Sequence, residues 1–127
     1  MFRLAEKVKS VFDYYKIKSN SIPIIVEGKH DIQSLVLLGF NENFEILNRG
    51  KSLLSTAEML AKNHHKLILL TDFDRKGILL KISITQYLRA YGANVDLYLW
   101  DFIHRFLPVK TVEDLPWAYE LVTSDRY

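Results

Sequence analysis

The stretch of residues 67–74, Leu-Ile-Leu-Leu-Thr-Asp-Phe-Asp, decides the fold of this chain. Its apolar run ends abruptly in two acids, and residues 24–27 (Ile-Ile-Val-Glu) show the same pattern earlier in the sequence. Short, continuous apolar runs are typical of strands that are buried on both faces of a parallel sheet. The acids that follow such strands lie at one edge of the sheet, where open α/β folds hold their active sites. If the two strands are parallel neighbours, we expect Glu27, Asp72 and Asp74 to converge there.

These three acids predict a bound divalent cation. Carboxylates about 4 Å apart repel one another by roughly 4 kcal/mol per pair at an effective dielectric constant of about 20. Mg²⁺ and Mn²⁺ prefer oxygen ligands and would remove this repulsion, so we expect one of them at this edge. A second interpretation stays open, in which Asp72 and Asp74 only cap the following helix and form surface ion pairs with Arg75 and Lys76. The acid after the other strand, Glu27, favours the metal site.

The composition is that of an ordinary globular protein. Of the 127 residues, 49% are hydrophobic and 25% are charged, which predicts a single folded domain with a sizeable core. The chain has no cysteine, which excludes disulfides and thiolate metal sites and agrees with a cytoplasmic location. No apolar run is long enough to cross a membrane, and the charged N-terminal segment does not resemble a signal peptide. Because the net charge is only +2, affinity for RNA or DNA must come from local clusters of cations.

Strand-like and helix-like patterns alternate along the chain. Apolar runs predict strands over residues 24–27, 44–47, 67–71 and 95–100. Periodic apolar stripes predict helices over residues 2–16, 31–38, 52–65 and 77–91. Short connections between such elements favour an α/β fold with a four-stranded, mainly parallel sheet, helices on both faces and an amphipathic N-terminal helix. A last helix would begin after Thr111 or Asp114, with Pro116 in its first turn.

The loops that follow the predicted strands carry both acids and cations. Residues 27–31, 48–52 and 72–77 contain the acids named above together with Asp31, and Asp101 follows the fourth predicted strand. Residues suited to contacting phosphate accompany them, namely Gly28, Lys29, Arg49, Lys51, Arg75 and Lys76. Carboxylates for Mg²⁺ beside cations for phosphate oxygens are typical of a surface that handles phosphodiesters.

Together these motifs resemble the Toprim domain, which occurs in DnaG-type primases, type IA and type II topoisomerases, OLD nucleases, the recombination protein RecR and ribonuclease M5. The resemblance covers about residues 22–101. It rests on residues 26–28 (Val-Glu-Gly) followed by Asp31, on residues 48–50 (Asn-Arg-Gly) and on residues 71–77 (Thr-Asp-Phe-Asp-Arg-Lys-Gly). In scale and in its Val-Glu-Gly-Lys motif the chain is most similar to ribonuclease M5 and to small primase-like proteins.

The resemblance implies a Rossmann-like sheet in which the first and third strands are neighbours. Glu27 would be the family's glutamate, which acts as general acid or base or shares the metal. Asp72 and Asp74 would be the acidic pair that binds Mg²⁺, and Asp31 corresponds to a more variable acid. The implied activity is making or breaking phosphodiester bonds in RNA or DNA, and for this chain we expect a nuclease.

The resemblance also suggests how the chain is divided. Residues 1–21 would form a helix and linker, and residues 22–127 a Toprim domain with a motif-bearing core (22–101) and a C-terminal extension (102–127). The zinc module of primases and the ATPase of OLD proteins have no counterpart, and none of the seven tyrosines lies in a motif like that of a topoisomerase. A stand-alone Toprim protein is the expectation that remains.

Two other functions stay open. The chain could be a non-catalytic nucleic-acid-binding module, acting as a homodimer or with a protein partner bound through the N-terminal helix. The simpler expectation for that helix is packing over the sheet. A receiver-like signalling domain also places acids after strands of a doubly wound sheet. It is disfavoured because the first strand ends in one glutamate and no fifth strand is evident.

Overall fold

A four-stranded, all-parallel sheet forms the centre of the computed structural model, which describes residues 3–48 and 50–124. The strands are β1 (Ile24–Val26), β2 (Phe44–Ile46), β3 (Lys66–Leu69) and β4 (Asn94–Asp96), arranged in the order β2-β1-β3-β4. Ile25 of β1 lies beside Glu45 of β2 on one side and Leu69 of β3 on the other. Because β1 and β3 are neighbours, the acids that follow them lie at the same edge, as the sequence predicts.

Helices cover both faces of this sheet. They are α1 (Leu4–Lys18), α2 (Lys29–Leu37), α3 (Leu53–Asn63), α4 (Arg75–Ala90), α5 (Tyr98–Phe106) and α6 (Leu115–Thr123), with a 3-10 turn over Val112–Asp114. Ile24 and Val26 face a core shared with α1, α2, α5 and α6, whereas Ile25 faces a core shared with α3 and α4. All three residues are fully buried, which explains why the strand is a continuous apolar run. The predicted α/β class and the placement of helices on both faces are confirmed.

The N-terminal helix α1 packs on the domain. Val8, Phe12 and Tyr15 lie on one helical face and are at most 2% exposed. This face packs against α5 and α6. The simpler expectation for this helix is packing over the sheet; the helix does pack on the rest of the chain, mainly through α5 and α6.

The predicted fourth strand, residues 95–100, is wrong in its second half. Strand β4 ends at Asp96, and α5 begins at Tyr98. The Asp96 side chain accepts a hydrogen bond from the Tyr98 N–H (2.9 Å), a local bond that turns the chain out of the sheet. Buried residues then follow at helical spacing, namely Leu99, Trp100, Phe102 and Ile103. The alternation of apolar and polar residues over this short stretch favours a strand, so the sequence pattern does not reveal the helical stripe.

The predicted position of Asp101 is wrong for the same reason. It was expected in a loop at the edge that carries the acids, but it lies within α5, where it is exposed and 3.4 Å from Lys81 Nζ. The neighbouring rings of Trp100 and Phe102 are buried in the core.

Helix ends follow local chemistry closely. The Ser52 side chain accepts a hydrogen bond from the Ser55 N–H (3.1 Å) and caps α3, as its position before the helical pattern predicts. Gly92 has a φ of 91° just after α4, the left-handed conformation that favours glycine there. Helix α6 begins after Asp114, with Pro116 in its first turn. In the described part of the chain, no helix has the length and apolar character needed to span a bilayer.

Candidate metal and phosphate site

A cleft of about 440 Å³ opens at the carboxyl edge of the sheet, beside the ends of β1 and β3. Acids, cations, an imidazole and a wall of leucines surround it. Its lining residues are Glu27, Gly28, His30, Asp31, Leu47, Asn48, Lys51, Leu53, Asp72, Lys76, Leu80 and Glu113. A concave site with apolar walls and a few convergent polar groups is the usual form of a ligand site.

Backbone amides hold the acids of this cleft in place. Glu27 Oε2 accepts a hydrogen bond from the Asp72 N–H (2.8 Å), so the acid after β1 is tied to the end of β3. Asp72 Oδ1 accepts from the Val112 N–H (2.8 Å), and Asp31 Oδ2 accepts from the Gly28 N–H (3.0 Å). Among the described residues, none donates a hydrogen bond to Glu27 Oε1 or Asp72 Oδ2. Glu27 and Asp72 are thus each oriented through one oxygen, and among the described residues the other oxygen accepts no hydrogen bond.

The cleft holds more negative charge than the fold neutralises. The pKa values of Glu27, Asp31 and Asp72 are all raised, first because burial disfavours the charged carboxylate. Neighbouring acids raise these pKa values further, whereas backbone hydrogen bonds and, for two of the acids, the positive charge of Lys76 only partly offset the effect. Among the described residues, no lysine or arginine forms an ion pair with these acids. A bound cation would supply the missing charge.

Asp74 has a different position from the other predicted ligands. It is the N-cap of α4, where its Oδ1 accepts a hydrogen bond from the Gly77 N–H (2.8 Å). It does not line the cleft, although its charge helps to raise the pKa of Asp72. The helix-cap part of the second interpretation is therefore confirmed for Asp74, although among the described residues neither Arg75 nor Lys76 forms an ion pair with it. The helix-cap role does not hold for Asp72, whose side chain bonds to Val112.

The donor chemistry fits a hard cation, but the spacing is not that of a closed metal cage. In residues 3–48 and 50–124, no group of three or more His, Asp or Glu side chains lies close enough together to hold a metal ion. Mg²⁺ keeps several of its waters and is often bound through only one or two carboxylates, so such a cage is not required. Glu27 and Asp72, with their remaining oxygens, are the pair that best meets this need.

Two glycines near the cleft have different reasons to be glycine. A Cβ on Gly77 would lie 2.0 Å from the backbone oxygen of Asp72, so this glycine allows α4 to pack against the end of β3. Gly28 has an extended backbone (φ −155°), and a Cβ there would meet no atom within 4 Å. Neither turn geometry nor packing requires glycine at position 28. Its missing side chain leaves room at the wall of the cleft.

The predicted phosphate-binding cations are only partly brought together. Lys51 and Lys76 line the cleft, whereas Lys29 and Arg75 are exposed and do not line it. Arg49 lies outside the described residues. His30 also lines the cleft and is exposed.

The C-terminal extension supplies parts of the site that sequence reasoning missed. Glu113 lines the cleft and raises the pKa values of Asp31 and Asp72 through its negative charge. The Val112 N–H bonds to Asp72 across 40 residues of sequence. A backbone N–H carries no signature in the sequence, and an isolated acid so far from the motifs is not distinctive.

Comparison with known proteins identifies relatives along most of the chain. Residues 22–100 match the family model described as the Toprim domain. A UPF0292 protein of Thermoplasma volcanium is 45% identical over 106 residues, which cover 84% of this chain and 89% of that protein. A UPF0292 protein of Methanocaldococcus jannaschii is 36% identical over 112 residues, 87% of this chain and 88% of that protein.

A solved structure shares the fold. A protein from Aquifex aeolicus superposes with a TM-score of 0.70 at 27% sequence identity, over 90% of this chain and 99% of that chain. The names of these relatives state no activity, substrate or ligand. The geometry of the cleft and the family of the chain are therefore the two indications of its function.

Proposed function

Since the chain belongs to the Toprim domain family, which indicates a metal-dependent function related to nucleic acids, we propose that it is a Mg²⁺-dependent nuclease. The observation that carries this proposal is the cleft at the carboxyl edge of β1 and β3. There, Glu27 and Asp72 are each held through one oxygen by a backbone N–H and keep the other oxygen for a ligand. Lys51 and Lys76 line the same cleft and would contact phosphate oxygens.

Glu27 and Asp72 would hold Mg²⁺ or Mn²⁺, with Asp31 and the α4 cap Asp74 as further ligands, directly or through water. The cation would supply stabilisation of the negative charge that develops on the phosphate during cleavage. Glu27 is also the candidate general acid or base, because its Oε1 is available to take or give a proton.

The phosphate backbone of RNA or DNA would lie across the cations at the mouth of the cleft. Lys51 and Lys76, which line the cleft, would contact it directly, and Lys29 and Arg75 would extend this surface outward. Arg49 is proposed as a further phosphate contact from its place in the sequence alone. Gly28 would let the phosphate backbone of the nucleic acid approach the start of α2 closely, since the space beside Gly28 holds no side chain.

The test is a cleavage assay on labelled structured RNA, single-stranded DNA and duplex DNA, each with Mg²⁺, Mn²⁺ or EDTA. Glu27→Gln removes the charge but keeps an oxygen that can accept the Asp72 N–H. Asp13→Asn is the matched control, because Asp13 is an exposed acid of α1 outside the cleft lining. We expect metal-dependent cleavage by the unaltered protein and by Asp13→Asn, and its loss in Glu27→Gln. Cleavage that persists in EDTA or in Glu27→Gln would overturn the proposal.

A second candidate is a nucleic-acid-binding module without catalysis. The observation in its favour is that the described acids form no closed metal cage and that Asp74 serves as a helix cap. This alternative predicts binding that weakens with salt and leaves every substrate intact in the same assay. A retarded but uncut substrate would therefore favour it over the nuclease.

The domain division, the cellular location and the oligomeric state of the chain are also proposed. We keep the division into residues 1–21, a core over 22–101 and an extension over 102–127, and a cytoplasmic location. A homodimer or a protein partner would have to use the outer face of α1, where Tyr14 and Ile17 are exposed, because the inner face is buried. A mass measurement in solution that gives a strict monomer would exclude the homodimer.

A further inference from the structure

Residues 107–114 cross the end of the sheet beside the cleft, outside the region that matches the Toprim family model. The segment is anchored by its own apolar side chains, since Leu107 is 5% exposed and Val112 is fully buried. Its backbone is also bonded to the domain. The Phe73 N–H donates to the Lys110 carbonyl (2.8 Å), and the Ser34 hydroxyl donates to the Glu113 carbonyl (3.3 Å).

The backbone around Asp72 is also fixed by contacts outside this segment. The Thr71 hydroxyl donates to the Gly77 carbonyl (2.9 Å), and Trp100 Nε1 donates to the Thr71 carbonyl (3.0 Å). The Asp72 N–H is bound to Glu27 Oε2 (2.8 Å). These contacts leave the side-chain torsions of Asp72 undetermined. In the described residues, the Val112 N–H is the one hydrogen-bond donor to its carboxylate.

We propose that the backbone N–H of Val112 is a positioning group for the metal site, holding Asp72 through Oδ1 so that Oδ2 is presented to the cation. The inference rests on the proposed function, because it takes Asp72 to be a metal ligand. Partners that orient metal ligands are worth about 10–100-fold in metal affinity. The functional unit then includes the C-terminal extension at least as far as Asp114, and the core that matches the family model is incomplete without it.

Proline at position 112 tests this directly, because proline has no N–H. Thr111 has φ −129° and ψ 154°, the region that residues before proline adopt, and Val112 begins the 3-10 turn. Proline's Cδ would also push the Asp72 carboxylate away from its place 2.8 Å from this nitrogen, so a variant with an ester in place of this amide separates loss of the N–H from this displacement. Val112→Ala is the matched variant, because it keeps the N–H and removes side-chain packing. The readout is the Kd for Mn²⁺, measured by electron paramagnetic resonance without any nucleic acid.

We expect Val112→Pro to bind Mn²⁺ at least about tenfold more weakly than Val112→Ala, with both variants folded by circular dichroism. Equal affinities in the two variants would overturn the inference and leave the proposed function standing. An unaltered protein that binds no Mn²⁺ would overturn the proposed function, and the inference with it.

A second measurement decides the question if Val112→Pro does not fold. Replacing the Val112 residue with its α-hydroxy acid converts the peptide N–H to an ester oxygen and keeps the valine side chain. The same weakening of Mn²⁺ binding, relative to an all-amide protein prepared by the same route, would support the inference. Unchanged binding would overturn it.

Discussion

Two aspartates near the ends of neighbouring strands, Asp72 after β3 and Asp96 at the end of β4, have their charges treated in opposite ways by the fold. The Asp96 carboxylate accepts hydrogen bonds from Lys18 Nζ, the Tyr15 hydroxyl and the Tyr98 N–H. Burial by itself would raise the pKa of Asp96, but the bonds from Lys18 and the two other donors hold it below the ordinary value. The negative charge of Asp96 is therefore balanced by a lysine of the same chain.

Asp72 receives no comparable support. Its one hydrogen bond among the described residues comes from the Val112 N–H, and its pKa is raised, chiefly by burial and then by Asp74 and Glu113. Asp96 is thus paired with a cation inside the fold, whereas Asp72 has no such pair among the described residues. Acids in a cleft whose pKa is shifted by burial and by neighbouring charges are typical of functional sites.

The largest effect on the fold is expected where backbone packs against Asp72. Gly77→Ala places a Cβ 2.0 Å from the Asp72 carbonyl oxygen, so we expect more than about 4 kcal/mol of destabilisation or failure to fold. Gly28→Ala meets no atom within 4 Å, so the fold should be unchanged while nucleic-acid affinity falls. Thermal unfolding and gel retardation check the pair. Similar stabilities in the two variants would contradict this division of roles.

Removing one charge from each aspartate sharpens the comparison. Asp72→Asn should lower the rate of metal-dependent cleavage by at least about a hundredfold, because it removes a metal ligand. Asp96→Asn should leave the rate within about twofold, since Asp96 does not line the cleft. Cleavage kinetics under saturating Mg²⁺ give both numbers. A rate loss of equal size in both variants would mean that Asp72 acts only through the structure.

Metal addition should stabilise the protein only through the cleft. At a Mg²⁺ concentration of 100 times Kd, binding to the folded state alone adds about 2.7 kcal/mol to the free energy of unfolding. Chemical denaturation with and without Mg²⁺ measures this increase. We expect it in the unaltered protein and in Asp96→Asn, and its loss in Asp72→Asn. A Mg²⁺ response retained in Asp72→Asn would place the cation elsewhere.

Asp96 should account for a smaller, pH-dependent part of the stability. Near neutral pH, Asp96→Asn should cost about 1–3 kcal/mol, because it weakens a charge-assisted bond to Lys18. Since the pKa of Asp96 is lowered in the folded state, this stability is present above the unfolded pKa of about 3.9 and is lost as the pH falls through the folded value. Denaturation curves from pH 7 to pH 3 should show the difference between the proteins shrinking. A constant difference would contradict the assignment.

The sequence predicts most of the fold because its signals are local. The apolar runs of β1 and β3 specify buried strands, and Ser52 and Gly92 mark helix ends through their own side-chain and backbone chemistry. The error at residues 98–100 arose where three residues of alternation preceded a helix. The turn depends on the Asp96 side chain bonding to the Tyr98 N–H, which a hydrophobic pattern does not reveal.

Only the site residues that lie within the recognisable sequence motifs could be predicted. Glu27 and Asp72 follow strands directly and Asp31 lies in the first turn of α2, so the topology of the sheet brings all three to the cleft. Val112 and Glu113 reach the same cleft through packing of the C-terminal extension, a contact between distant parts of the chain. Whether Asp74 caps a helix or binds metal also depends on side-chain geometry, because an acid before a helix fits both.

The central claim is that the carboxylates of Asp72 and Glu27 bind a divalent cation. Titration of the protein with Mn²⁺, followed by electron paramagnetic resonance, tests this claim most directly. We predict saturable binding in the unaltered protein and in Asp96→Asn, with competition by Mg²⁺, and at least about a hundredfold weaker binding in Asp72→Asn. Absence of binding in the unaltered protein, or equal affinity in Asp72→Asn, would contradict it.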